Sequence, residues 1–407
     1  MKAVIFTLGC KVNEVESASI MATLERNGWE VSDKLGFADI YVLNTCAVTR
    51  EAEKKSRQLV ARAKKYNSEA KIFVCGCASQ KNRQAFEEKD VTFVTGASDK
   101  GDVIAAICAD FGGECSGLLY PKQTKTRAFI KIQDGCNNFC SYCIIPYLRG
   151  REKSRSIEDI LGEITNCDCP EVVLTGINIS SYNDGGRGLP ALISALKSVK
   201  KRIRIGSLEC SVITEELLSA LKDLYDFAPQ FHLSLQSGSS VVLKAMNRRY
   251  SREQYLEKCA LIYKYFPQGA ITTDIISGVP TETDEDFVKS LNIISEAGFA
   301  RVHAFSFSPR EGTVAYKMKD LPPAVKNERL SRLLKAANEA ESKYVLSFLG
   351  KILSFIAEEY ENGYTTGYTG NYIKIYVPEQ LEAGKKYLVK ILNEHADGAL
   401  AEVIYEV

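Results

Sequence analysis

Cys136-Asn137-Asn138-Phe139-Cys140-Ser141-Tyr142-Cys143 stands directly after residues 128–133, an apolar stretch that reads as a β-strand. Three cysteines spaced C-x3-C-x2-C on one loop point to metal chemistry, because thiolate is the donor that a four-iron cluster prefers. A cluster of four irons held by three thiolates leaves one iron open to a small chelating ligand. Structural zinc is the rival reading, yet it calls for four Cys or His ligands. No histidine lies in the segment, and the chain has only His232, His303 and His395, which read as ordinary core or surface residues.

Outward from that loop, strand signals recur at 128–133, 171–175, 202–208, 231–235, 270–276 and 302–307, mostly at helix-length intervals. They predict an incomplete (β/α)6 barrel with its chemistry at the carboxyl ends of the strands. On the N-terminal side, 2–8, 40–43, 72–75 and 91–94 read as buried strands, the first three followed by helical patterns. That alternation predicts a parallel sheet with helices on its faces. Cys10, Cys46 and Cys77 each follow one of its first three strands, at the edge where ligands gather in such sheets. On the C-terminal side, 331–348 reads as a helix and 352–407 as a small all-β barrel, with Gly363, Gly367, Gly370, Gly384 and Gly398 as turns. The polar stretch 118–127, with Pro121, reads as a linker. The expected class is therefore α/β, divided at 1–118, 122–340 and 344–407.

A chain of 407 residues is too long for one ordinary core. Its 45% hydrophobic and 25% charged residues are those of a soluble globular protein. The residues before Leu8-Gly9-Cys10 leave no room for a signal peptide, and no uncharged apolar run approaches the roughly 20 residues of a membrane helix. The expectation is a cytoplasmic protein with no membrane attachment, in which thirteen cysteines serve metal or redox chemistry more than disulfides. With a formal net charge of only +1, a polyanion would have to be held by local clusters: 50–65, Arg149 with Arg151, Lys153 and Arg155, or 197–204. Each of these also reads as an ordinary solvated face. The loop Asp184-Gly185-Gly186-Arg187-Gly188 lacks the ending of a phosphate loop and reads as a turn.

With an aromatic at Tyr142, the cysteine loop resembles the radical S-adenosylmethionine superfamily. The run from Asp134-Gly135-Cys136 through Ile144-Ile145-Pro146 to Arg149-Gly150-Arg151 resembles its methylthiotransferase branch. Thr7-Leu8-Gly9-Cys10-Lys11-Val12-Asn13 with Glu16-Ser17, Asn44-Thr45-Cys46 with Val48, and Gly76-Cys77 with Gln80 are similar to that family's N-terminal signature, so the likeness spans nearly the whole chain. It implies two 4Fe-4S clusters: one on Cys136, Cys140 and Cys143 that takes S-adenosylmethionine at its open iron, and one on Cys10, Cys46 and Cys77 that carries the sulfur. The strand ends Thr175-Gly176-Ile177-Asn178, Ser207 and Glu209 carry groups suited to an adenosyl cofactor. The resemblance adds Gln236-Ser237-Gly238 and Asp274. Cys210 stands where the family has a proline, Val279 and Thr281 where it has phenylalanine and glycine, and Glu311 where it has a proline. Cys75, Cys108, Cys115, Cys167, Cys169, Cys210 and Cys259 match no ligand of the family and read as structural thiols, with redox activity the alternative for Cys167-Asp168-Cys169.

The resemblance further implies methylthiolation of a tRNA adenosine. One S-adenosylmethionine methylates sulfur, and a second is cleaved to a 5'-deoxyadenosyl radical that activates carbon 2 of the base. A flavodoxin or ferredoxin would supply electrons. Thr7 to Asn13 looks most like the branch acting on N6-threonylcarbamoyladenosine in the anticodon stem-loop. The isopentenyladenosine and ribosomal-protein aspartate branches, and a non-catalytic zinc-bearing RNA-binding protein, remain the alternatives. The C-terminal segment resembles the TRAM-like barrel through which such enzymes contact RNA. Acidic residues outnumber basic ones there, and Tyr360, Tyr364, Tyr368, Tyr372 and Tyr376 are read mostly as packing residues that could stack on bases. Much of the grip on tRNA would then fall to the basic residues after Cys143 and from Arg50 onward.

Overall fold

Runs of β-branched and aromatic residues with no polar alternation, such as IYVLNT, suit strands covered on both faces. In the computed structural model, Lys2–Thr7 (β1), Glu30–Ser32 (β2), Ile40–Thr45 (β3), Lys71–Gly76 (β4) and Phe93–Val94 (β5) form a parallel sheet in the order β2-β1-β3-β4-β5. The short, half-exposed β2 carries no periodic signal and was not anticipated. The described residues are 1–98, 100–114, 118–121 and 126–407. Cys115, part of the expected linker and the start of the expected second segment at residue 122 lie outside them.

Three helices leave the carboxyl edge of this sheet: Lys11–Arg26 (α1), Arg50–Tyr66 (α2) and Cys77–Lys81 (α3). Thr49 caps α2 by accepting from Ala52 N at 3.1 Å.

The central six-strand series begins with Arg127–Asp134 (β6), flanked antiparallel by Lys153–Ser154 (β7), and continues with Glu171–Gly176 (β8). A small hairpin, Asn183–Asp184 (β9) and Arg187–Gly188 (β10), turns through Gly185 and Gly186 as the loop reading expected. The third strand is broken: Arg202–Ile205 (β11) pairs with β8 and with Asp226–Phe227 (β13), whereas Ser207–Leu208 (β12) pairs with Gln230–Leu233 (β14). Gly206 sits at the break, where a Cβ would stand 2.9 Å from Leu174 O. Ala270–Ser277 (β15) and Arg301–Ser306 (β16) complete an open barrel in two sheets, β13-β11-β8-β6-β7 and β12-β14-β15-β16, whose strands are parallel apart from β7. Ala128, Ile130 and Ile132 of β6 point outward into the main apolar core, so Phe129, Lys131 and Gln133 face the lumen.

The helix Pro323–Leu346 starts earlier than expected and carries Val345 into the core of a closed five-strand barrel. Its strands Ile352–Glu361 (β17), Tyr364–Thr369 (β18), Lys374–Val377 (β19), Lys386–His395 (β20) and Gly398–Glu406 (β21) run in the order β17-β18-β19-β21-β20. Gly363 and Gly384 are turns with φ of 85° and 84°. Gly367 is not: it lies inside β18, where a Cβ would meet Ile356 O at 2.0 Å, so glycine there marks close strand contact and not a chain reversal. Gly398 likewise opens β21 against Lys374 O.

Candidate active site

Two glycines let the first three cysteines converge. Gly9 has φ 126° and a Cβ on it would stand 3.3 Å from Cys46 Sγ; Gly76 has φ 110° and a Cβ on it would stand 2.4 Å from Thr45 O. No other residue adopts these angles at such close range. The chain segments bearing Cys10 and Cys77 are thereby pressed against the end of β3, which bears Cys46. Cys46 feels the charges of Cys77 and Cys10, and Cys77 that of Cys10. Burial pushes the Cys46 and Cys77 thiols up, so a cation that binds them must displace their protons.

Asn13, on the first turn of α1, stitches this edge together: its Nδ2 donates to Leu8 O at 2.8 Å and Thr45 O at 3.1 Å, and its Oδ1 lies 3.9 Å from Cys10 Sγ. Asn44 Nδ2 returns a bond to Asn13 O at 3.0 Å.

The second set follows β6. Gly135, at φ 72°, turns the chain under Arg151 O, and Cys136 N donates to Gly150 O at 3.1 Å. Phe139 holds φ 47°, an uncommon conformation for an aromatic residue. Asn247 Nδ2 fixes it by donating to Asn138 O and Phe139 O, each at 3.1 Å. Cys136, Cys140 and Cys143 are mutual electrostatic neighbours, and burial pushes the Cys143 thiol up to about 12. Arg248 Nη1 donates to Cys140 Sγ at 3.4 Å and pairs with Glu209 at 3.0 Å. No motif in the sequence singles out Arg248.

The expected cofactor-facing residues are placed as follows. Asn178 Nδ2 lies 3.9 Å from Cys136 Sγ, and its backbone N donates to Gln133 Oε1 at 2.7 Å. Gly176 packs so closely that a Cβ would stand 2.8 Å from Gln133 O. Glu209 accepts from Asn138 Nδ2 at 2.8 Å, which ties it to the cysteine loop. Ser207 is exposed at the start of β12. Gln236, at φ 74°, bridges to β15 through Asp274 O at 2.8 Å, and the Asp274 carboxylate lies 3.2 Å from His232 Nε2. Ser237 is fully buried with its hydroxyl 3.4 Å from Ser290 on the neighbouring helix Asp284–Glu296.

A buried ionic knot joins the two cysteine sets. Arg149 Nη1 donates to Glu16 Oε1 at 2.9 Å and Asp134 Oδ1 at 3.1 Å, while its Nη2 donates to Asn13 Oδ1 at 2.6 Å. Its positive charge also acts on the Cys77 thiol. Lys131 adds a contact to Glu16 at 2.8 Å, and Lys100 lies 3.7 Å from Glu16. Burial alone would raise the Glu16 carboxyl, but Lys131, Arg149 and Lys100 together hold it below its ordinary value. Ile144 and Leu148, just beyond Cys143, bury in the same apolar cluster as Cys77 and Ala78. From the loop after β16, Arg310 Nε donates to Val48 O at 3.0 Å. Arg149 and Arg155, read from sequence as part of a basic patch, are thus internal ion-pair partners, and only Arg151 and Lys153 of that cluster are exposed.

The donor sets fit iron–sulfur clusters. Arg149 Nε and Arg310 Nη2 are buried without a hydrogen-bond partner, and these guanidiniums are electrostatic neighbours of Cys77 and Cys46 respectively. Such orphaned donors suit a group rich in acceptor sulfurs. Among the described residues no three His, Cys, Asp or Glu side chains gather closely enough to hold a single metal ion.

A parallel sheet followed by an open barrel, with a three-cysteine loop after its first strand, defines a radical S-adenosylmethionine enzyme class, and residues 130–294 match the model of the Radical SAM superfamily. Residues 2–96 match a second model, Uncharacterized protein family UPF0004. The chain is 37% identical to threonylcarbamoyladenosine tRNA methylthiotransferase MtaB of Chlamydia pneumoniae, over 98% of this chain and 97% of that one. It is 35% identical to tRNA-2-methylthio-N(6)-dimethylallyladenosine synthase of Thermodesulfovibrio yellowstonii, over 98% of each. Among solved structures, the radical S-adenosylmethionine methyltransferase TsrM of Kitasatospora setae shares the fold, with a TM-score of 0.55 at 12% identity over 75% of this chain and 74% of that one. The chain belongs to the radical S-adenosylmethionine methylthiotransferase family. Membership implies 4Fe-4S clusters and S-adenosylmethionine as cofactors.

Proposed function

We propose that this chain is a tRNA methylthiotransferase that converts N6-threonylcarbamoyladenosine beside the anticodon to its 2-methylthio derivative. The observation that carries the reading is the pair of three-cysteine sets joined through buried Arg149. Cys10, Cys46 and Cys77 hold one cluster; Cys136, Cys140 and Cys143 hold the other. When bound there, a cluster with an open iron supplies the single electron that cleaves S-adenosylmethionine, and the other supplies the sulfur.

The chain's own residues do the rest. Arg248 and Asn178 donate toward Cys140 and Cys136 and so orient the sulfurs of the loop. Glu209, just past β12, and Asp274, within β15, are acceptors for the amino and hydroxyl groups of the adenosyl cofactor. Ile144 and Leu148 close the seam between the sets against water. A low-potential flavodoxin or ferredoxin in the cytoplasm supplies the electron.

Similarity alone does not choose the branch, since the relatives just described act on two different N6-modified adenosines. Thr7 to Asn13 favours threonylcarbamoyladenosine. Deleting the gene is expected to abolish 2-methylthio-N6-threonylcarbamoyladenosine in total tRNA, read by nucleoside mass spectrometry, and the intact gene to restore it. Disappearance of the methylthio dimethylallyl nucleoside instead would reassign the substrate. Anaerobically reconstituted protein is expected to hold about eight irons per chain, falling to about four when Cys10, Cys46 and Cys77 are replaced by alanine.

A further inference from the structure

Lys11 directly follows Cys10 and opens α1. Its ammonium crosses out of the N-terminal sheet into the barrel lumen, where it lies 5.7 Å from the ring centroid of Phe129 on β6. Its electrostatic neighbours there are Arg204 and Arg127, which repel it, and Glu14 and Glu171, which attract it. Of these carboxylates Glu171, on a barrel strand, is committed elsewhere. Glu171 accepts from Arg204 at 2.8 Å and 3.2 Å and pairs with Arg127 at 3.0 Å, and Glu358 takes the other side of Arg127. Glu171 and Glu358 are thus taken up by the two arginines, Glu14 makes no ion pair with Lys11, and Lys11 has no ion-pair partner among the described residues.

Lys11 is exposed while its ammonium stands over Phe129 of a barrel strand, as a side chain does that lines a cleft open to water. His303 and Phe305 on β16 share that character: both are exposed, Phe305 by 49%, although they belong to a barrel strand. The strand under Lys11 ends in the Cys136 loop, and the residue before Lys11 is Cys10. A base that is to react between the two cysteine sets has to enter this cleft, and an anionic substituent on it would meet a cation that makes no ion pair within the described residues.

We propose that Lys11 is a specificity-determining residue, its ammonium pairing with the carboxylate that the N6 substituent of the substrate carries. The assignment rests on the threonylcarbamoyladenosine reading and deepens it. A threonylcarbamoyl group ends in a carboxylate, whereas a dimethylallyl group is uncharged and apolar, so one lysine at this position separates the two by charge. An apolar substituent seated against Lys11 would strip water from the ammonium and give it no partner, which makes the neutral substrate unfavourable, and a charge-assisted bond makes the anionic one favourable.

The test uses anticodon stem-loops carrying threonylcarbamoyladenosine, the same nucleoside with its carboxylate converted to the carboxamide, or dimethylallyladenosine. Equilibrium binding is read by fluorescence anisotropy, and product formation by the reconstituted enzyme is read by mass spectrometry. Wild-type protein is expected to prefer carboxylate over carboxamide by about ten- to a hundred-fold. Lys11→Gln is expected to erase that preference through weaker binding of the acid alone, and Lys11→Arg to keep it. Equal handling of acid and amide by the wild type, or an undiminished preference in Lys11→Gln, overturns the assignment. If Lys11→Gln does not retain iron, the acid–amide comparison in the wild type and the iron-independent binding measurement decide it. Should the wild type act on the dimethylallyl stem-loop and on neither of the others, the substrate reading itself fails, and this assignment with it.

Discussion

At the scale of single residues, Glu16 and Arg149 decide how the two halves of the site meet. Arg149 is 1% exposed and Glu16 6%, so neither charge has water to fall back on. Removing one member of such a pair is far more harmful than removing both, because the survivor stays buried and uncompensated. The two deletions are nevertheless unequal. Without Arg149, Glu16 still has Lys131 and Lys100. Without the Glu16 charge, Lys100 keeps, among the described residues, the amide oxygen of Asn44 at 3.1 Å and no carboxylate. Glu16→Gln is therefore expected to lower stability by about 3 to 5 kcal/mol and Arg149→Met by less. Denaturant midpoints of the two variants check the order, and a milder Glu16→Gln would show that the knot is centred on the arginine.

At the scale of elements, the strand-to-helix junctions matter more than the strands. Gly76 at φ 110° faces Thr45 O, so Gly76→Ala combines backbone strain with a steric clash against main chain that cannot move aside. Gly28, at φ 80°, has nothing within 4 Å of where a Cβ would be, which makes it the control for strain alone. Gly28→Ala is expected to cost about 1 kcal/mol, and Gly76→Ala about 3 kcal/mol or more together with loss of iron from the first cysteine set. Thermal melts and iron analysis separate the two. The same junctions explain what was legible beforehand. Strands such as β3 and β8 announce themselves by unbroken apolar runs, and cysteines placed just past them had to lie at one sheet edge. The break of the third barrel strand at Gly206 and the in-strand positions of Gly367 and Gly398 were not legible, because a glycine demanded by close backbone approach looks the same in sequence as one in a turn. Arg248 was equally silent: its contact with Cys140 spans separate elements, and no local pattern records it.

At the scale of the whole molecule, a near-neutral chain has to grip a polyanion, and the distribution of unpaired cations says where. In the C-terminal barrel the lysines are largely spoken for: Lys374 pairs with Asp397, Lys385 with Glu406, Lys386 with Asp226 and Lys390 with Glu402. Tyr368 and Tyr372 stack on each other at 4.9 Å and receive Arg127 and Arg204 from the main barrel, so these two tyrosines serve the joint between barrels and are not free to stack on bases. On α2 the balance is opposite, since Arg50, Lys54, Arg62 and Lys65 are exposed and have no ion-pair partner among the described residues. Each cation that neutralises a phosphate releases counterions and steepens the fall of affinity with salt. Replacing Arg50, Lys54 and Arg62 by glutamine is thus expected to weaken tRNA binding and to reduce the slope of log affinity against log salt by about two to three. Replacing Lys385 and Lys390 is expected to leave that slope nearly unchanged, because those side chains already neutralise protein carboxylates. Binding isotherms over a series of salt concentrations measure both, and a slope that responds to the C-terminal lysines and not to α2 would move the tRNA to the other end of the molecule.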